Sequence, residues 1–242
     1  LVPYLSRRFG TRLPGCSLML RFVGLGQSQI DQTLEDNVPL TPDITVSSQF
    51  DGSRVDFIFS LPEDTPRDRA RLLELKQKII KHLGEHIYAD DETSLEQTVM
   101  KLLKARGQTL ALAEAGSGGT LAATLSRADG NGQVLAGAYV APNLEKLCHL
   151  LGADNDDRTG STSEEQRIKR LATAAADATS SQWAIAVGEA KRDENRSGYV
   201  EVAFKLPGGR LESCQVRLRG AGELARSRLS TQLLDQLRRR LK

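Results

Sequence analysis

The sequence predicts an α/β protein in two units: a small α+β module over residues 1–91, then a three-layer α/β/α sandwich with a mixed sheet over residues 92–242. Three observations predict this. Strand-like and helix-like segments follow one another along the whole chain, with turn residues between them. Two runs in the second half, 109–113 and 183–187, are almost wholly apolar, as strands covered on both faces are. The acidic run Asp90-Asp91-Glu92 then separates a part ending in a short strand from a part opening with a helix.

In the first unit, 17–23 reads as a strand and Gly24-Leu25-Gly26 as its turn. Ser28 is the expected cap of a helix to about Asp36, with Ile30, Thr33 and Leu34 on one face. Residues 44–46 and 54–59 alternate as strands across an Asp51-Gly52 turn. Leu72, Leu75, Ile79, Ile80 and Leu83 recur at helical spacing from Pro66 until Gly84 stops the helix. Residues 86–88 make a last short strand. The order is β-α-β-β-α-β, a KH-like arrangement. Residues 1–16 read as the end of a preceding element, and the chain, which begins at Leu1, is read as part of something longer.

The second unit opens with a capping box at Thr93 or Ser94 and a helix carrying Leu95, Val99, Leu102 and Leu103. After it come a strand (109–113), a glycine turn, a helix (120–126), a strand (134–140) and a helix (144–151). A polar loop (152–160), a long helix opened by Ser163-Glu164-Glu165, a strand (183–187), a hairpin around Pro207-Gly208-Gly209 and a helix from Glu223 complete it. No internal repeat is present.

Composition narrows function. Of 242 residues, 39% are hydrophobic and 26% charged, ordinary for a soluble globular protein, and the net charge of +2 gives no case for nucleic acid. Arg217, Arg219, Arg226, Arg228, Arg238, Arg239, Arg240 and Lys242 make the C-terminus basic, which a solvated helix face explains. No run is long enough to span a membrane, and no segment resembles a signal peptide. Cys16, Cys148 and Cys214 lie far apart without a CxxC pair, so they read as packing residues in a reducing cytoplasm. His82, His86 and His149 have no metal-ligand spacing, so neither a metal nor a cofactor is expected.

One turn can carry chemistry. Glu114-Ala115-Gly116-Ser117-Gly118-Gly119-Thr120 joins a buried strand to a helix. Ligands of open α/β sheets bind outside the carboxyl ends of strands. Glycines let backbone N–H groups approach an anion, and the helix N-terminus adds partial positive charge. Ser117 and Thr120 supply hydroxyls. The turn matches neither Walker A nor GxGxxG, and it follows a strand, unlike the GxxG loop of KH domains. As a bare pattern it is also explained by a tight strand-to-helix turn.

The run from Leu112 to Ala122 resembles the A-E-S-C-T-G-G-x-L-A signature of the CinA C-terminal domain, the competence/damage-inducible family. Phe22-Val23-Gly24-Leu25-Gly26-Gln27-Ser28-Gln29-Ile30, Gly160-Ser161-Thr162-Ser163-Glu164-Glu165 and Gly198-Tyr199-Val200-Glu201-Val202-Ala203 resemble further segments of that family in the same order. The resemblance implies hydrolysis of the carboxamide of nicotinamide mononucleotide. A serine of E-S-C-T-G-G works there with a tyrosine and a lysine of Y-S-N-x-x-K. For any part preceding this chain, it implies a molybdopterin-binding-like domain with metal-dependent pyrophosphatase activity toward ADP-ribose.

This sequence departs where the chemistry lies. The family serine falls on Ala115, the cysteine on Gly116 and the threonine on Ser117. Tyr139 matches the tyrosine, but Leu144 stands at the lysine position and Lys146 is out of register. The family's T-G-I-A-G-P-x-G-G loop becomes Val187-Gly188-Glu189-Ala190-Lys191-Arg192-Asp193-Glu194-Asn195. Losing a serine nucleophile costs roughly 10⁶ in turnover. The leading expectation is therefore a catalytically silent domain kept for ligand binding or oligomerisation. The rival is an active amidase with Ser117 as nucleophile helped by Tyr139 or Lys146. Glu114, Gly116, Ser117, Gly118, Gly119, Thr120 and Gly188 are the expected contacts to a pyridine nucleotide or phosphate, and a homodimer is the expected assembly.

Overall fold

The computed structural model describes Tyr4, Arg8 and residues 15–153, 163–192 and 198–242. Most of the expected leading element, the acidic stretch 154–157, Gly160-Ser161-Thr162 and Asp193-Glu194-Asn195 lie outside the described residues. The chain divides into two compact units, Leu1–Ser94 and Leu95–Lys242, where the sequence reading sets the boundary between 91 and 92.

The first unit runs β1 (Ser17–Val23), α1 (Gln27–Asn37), β2 (Thr45–Asp51), β3 (Arg54–Ser60), α2 (Pro66–Leu83) and β4 (Ile87–Ala89). Its sheet has the order β2-β3-β1-β4 with antiparallel neighbours. Alternation sends Leu20 and Phe22 of β1 and Val55, Phe57 and Phe59 of β3 to one face. They pack there with Ile30 and Leu34 of α1 and with Leu72, Leu75, Ile79 and Leu83 of α2. Phe22 meets Phe57 edge to face at 5.7 Å. Thr65 caps α2 by accepting the Asp68 N–H at 3.1 Å. At α1 the cap is Gly26, two residues before the Ser28 expected. The Gln29 side chain accepts the Gly26 N–H at 3.1 Å and so closes the first turn itself.

The second unit runs α3 (Leu95–Ala105), β5 (Leu110–Glu114), α4 (Thr120–Asp129), β6 (Leu135–Val140), α5 (Leu144–Leu150) and α6 (Glu164–Thr179). It continues with β7 (Trp183–Arg192), β8 (Gly198–Lys205), β9 (Leu211–Leu218) and α7 (Gly222–Arg240). The sheet order is β6-β5-β7-β8-β9. β5 is parallel to β6 and β7, while β8 and β9 continue the sheet antiparallel. Ala111, Ala113, Ala184, Ala186 and Ala203 present methyl groups to one face, where they pack with Ile168, Leu171 and Ala175 of α6 and Leu144 and Leu147 of α5. Such small side chains let α6 lie across β5, β7 and β8. The opposite parity, Leu110, Leu112, Ile185 and Val187, is equally buried. The helices α3, α4 and α7, which contact one another, form that second layer.

Two expectations are corrected. β7 does not stop at Val187 but runs to Arg192, paired with β8 through an irregularity between Val187 and Ala190. The polar residues there hid a strand whose apolar run ends early. The basic C-terminus is not simply a solvated face. Arg238 is fully buried and donates to Asp235 Oδ1 at 2.6 Å. Arg239 donates to Asp235 Oδ2, and Arg240 reaches Glu212 while lying 4.1 Å over the Phe204 ring. Among the described residues, no helix is long and apolar enough to cross a membrane.

Candidate functional site

The site is built where β5 ends. Beyond Glu114 the chain keeps pairing with β7: the Ala115 N–H donates to Val187 O at 3.0 Å and the Gly116 N–H to Gly188 O at 2.7 Å. A Cβ on Gly116 would lie 2.4 Å from that same Gly188 carbonyl oxygen. A Cβ on Gly188 would lie 2.7 Å from Ile168 Cδ1 and 3.0 Å from Glu201 O. Both glycines therefore have a packing reason, the close passage of two backbones beneath α6, independent of any ligand. Gly118 and Gly119 follow with φ of +59° and +81°, and these turn the chain into α4.

Glu114 and Ser117 are both fully buried. The Ser117 hydroxyl donates to Glu114 Oε2 at 2.5 Å. The Leu121 N–H donates to the same oxygen at 3.2 Å and the Ala122 N–H to Oε1 at 2.7 Å. The Gly118 and Thr120 N–H groups donate within the turn, to Ala115 O and Ser117 O. The partial positive charge of the α4 N-terminus thus already faces an anion, and that anion is an internal carboxylate. The backbone N–H groups expected to cradle a phosphate are largely spent inside the turn. Burial pushes the Glu114 carboxyl above its ordinary value, and the bonds from Ser117, Ala122, Leu121 and Gly119 pull against that rise.

Beside the turn, on the α5–α6 face, lies an open cleft of about 700 Å³ lined by Asn143, Leu144, Glu145, Glu164, Arg167, Glu189 and Lys191. Asn143 caps α5 by accepting the Lys146 N–H at 2.9 Å. The Leu144 N–H donates to Glu189 Oε1 at 2.6 Å, so this helix end too faces an internal carboxylate. Glu164 pairs with Lys191. Ala115, where the resemblance puts the family serine, is 8% exposed and shares its apolar cluster with Leu144, one of the residues lining the cleft.

Glu114, Gly116, Ser117, Gly118, Gly119 and Thr120 come together in the turn, with Gly188 against it. Tyr139 lies on β6 in register with Ala113 and packs on the core under α5 and α6. Lys146 is exposed on α5. No hydrogen bond of the described residues joins either to Ser117. Sequence reading missed Asn143, Glu189, Arg167 and Lys191. The Asn143 cap had a signal in the residue type before an apolar helix. Glu189 had none, because its role depends on the strand extension that carries it.

A mixed five-stranded sheet between two helical layers, with a glycine turn bonded to a buried glutamate, defines an α/β domain of the kind the resemblance implies. A model of the CinA C-terminal domain matches residues 92–241, and the chain belongs to the CinA family. A CinA-like protein of Dictyoglomus thermophilum is 28% identical over 234 residues, covering 93% of this chain and 56% of that protein. One from Parasynechococcus marenigrum is 29% identical over 251 residues, covering 99% and 59%. The chain spans about half the length of the curated relatives it matches. Among solved structures, the CinA superfamily proteins of Enterobacter cloacae (TM-score 0.52, 22% identity, 64% of this chain and 96% of that one) and Klebsiella pneumoniae 700603 (0.53, 23%, 61% and 95%) share the fold.

Proposed function

We propose that the second unit is a catalytically silent relative of nicotinamide-nucleotide amidases, retained as a ligand-binding and assembly domain. The observation that carries this reading is the state of Ser117. It supplies the one hydroxyl of the turn before α4, and it is fully buried and donated to Glu114. At the position where the family carries its serine, Ala115 offers a methyl group. Amide hydrolysis needs an activated nucleophile within reach of the carbonyl and a proton for the leaving amine. Neither Tyr139 nor Lys146 is placed on Ser117 to provide that. A pyridine nucleotide, if held, has the cleft of Arg167, Lys191 and Glu189 as its seat rather than the occupied N-terminus of α4.

One geometric fact favours the rival: a hydroxyl 2.5 Å from a carboxylate with a raised pKa is a nucleophile beside a base. Full burial opposes it. Purified protein should release no ammonia from nicotinamide mononucleotide, although the nucleotide should raise its melting temperature by mass action on the folded state. Ammonia release at an ordinary enzymatic rate, roughly 1–10³ s⁻¹, and its loss on Ser117→Ala, would establish the amidase instead.

A further inference from the structure

β6 is the outer strand of its sheet: β5 pairs with one side of it, and no described strand pairs with the other. Its sequence, Leu-Ala-Gly-Ala-Tyr-Val, contains no charge and no proline. Soluble proteins ordinarily guard a sheet edge with one or the other, because an unguarded row of N–H and C=O groups recruits a further strand. The opposite outer strand, β9, carries Glu212 and Arg217, and α7 packs against it. Along β6 the side chains alternate. Gly137 faces α6, where a Cβ would meet Thr179 Cγ2 at 2.7 Å, while Ala136, Ala138 and Val140 are exposed, Val140 by 46%.

Opposite charges stand at the two ends of this strand. At its start, the Asp129 carboxylate accepts the N–H groups of Val134 and Leu135 at 3.0 and 2.9 Å. At its end, the Arg226 guanidinium lies 3.2 Å from where a Cβ on Gly118 would be, and a Cβ on the neighbouring Gly119 would lie 3.4 Å from Val140 Cγ1. Arg226 is exposed and has no acidic partner among the described residues.

We propose that β6 pairs antiparallel with β6 of a second copy of this chain, about a two-fold axis near Gly137 and Ala138. Antiparallel pairing of a strand with itself satisfies both free edges in one isologous contact. It carries the Val140 end of one copy past the Leu135 end of the other, so Arg226 approaches the partner's Asp129, and the symmetry repeats the pair. The two five-stranded sheets become one continuous sheet. None of the cleft-lining residues takes part, so this interface stands or falls separately from the reading of the cleft.

Sedimentation of the full chain over a concentration series tests it. The parent should run at twice the chain mass. Ala138→Glu puts two like charges beside the axis from an exposed position and should give a monomer with an unchanged far-ultraviolet spectrum. Arg226→Glu should weaken dimerisation at least tenfold, and added salt should weaken the parent but not this variant. Phe50→Glu, on the exposed β2 edge of the first unit, should leave the dimer intact. A parent that stays monomeric at about 100 µM, a dimer that survives Ala138→Glu, or one that Phe50→Glu dissociates would each overturn the proposal.

Discussion

Glu114→Ala should lower the stability of the second unit by about 3–5 kcal/mol. The substitution strands the Ser117 hydroxyl and the N–H groups of Leu121 and Ala122 together. A buried donor left without a partner costs about 1–3 kcal/mol, and the cavity left by the carboxyl adds to that. For a domain of this size the melting temperature should fall by about 10 °C. A fall of less than about 1 kcal/mol in urea titrations would mean that those donors find other partners. The charge makes a further prediction. Because burial raises the native carboxyl above its ordinary 4.5, the folded state binds that proton more tightly than the unfolded state does. The stability this contributes is complete below the unfolded value and is lost as pH rises through the native one. Glu114→Gln should remove that downward slope from the stability profile while keeping a side chain that accepts a hydrogen bond.

Gly116→Ala comes second, at about 3 kcal/mol. Its Cβ would sit 2.4 Å from Gly188 O, the very atom that accepts the Gly116 N–H. Backbone cannot rotate away as a side chain can, so the two strands must part and their hydrogen bond lengthen. Gly132→Ala makes the control. Its φ is +63° and nothing lies within 4 Å of the added Cβ, so it pays only left-handed strain, about 1 kcal/mol. Gly116 itself is not left-handed, so equal losses at the two positions would show that the close passage relaxes at little cost and is not what makes position 116 a glycine.

Periodicity and punctuation carried most of the fold. The buried strands 109–113 and 183–187 announced themselves by apolar continuity, and α2 by Leu72, Leu75, Ile79 and Leu83 between Pro66 and Gly84. Local pattern failed where a role is set by a distant neighbour. The second half of β7 is polar, and only its antiparallel partner β8 makes it a strand. Gly188 looks like a ligand glycine until Ile168 and Glu201 are seen against it. Glu114 looks like a ligand contact, but folding turns it inward onto α4. The site was thus legible as a place, the turn after β5, while its hydrogen bonding was not. The same motif that resembles a phosphate cradle closes on its own carboxylate.

The sheet joins two kinds of connection, and that division bears on the order of folding. β7, β8 and β9 are consecutive along the chain and pair antiparallel, Arg192 with Gly198 and Lys205 with Leu211 at their adjoining ends. Trp183 and Leu110 are roughly 70 residues apart when β7 meets β5, and that parallel contact must repay a much larger loop-closure entropy. The meander can therefore form in the transition state before the parallel half docks onto it. Substituting Val202 or Phe204 in β8 should slow refolding, whereas truncating Leu112 in β5 should chiefly speed unfolding. The turn that holds Glu114 and Ser117 would then be among the last parts to consolidate, as the parallel strands close over it.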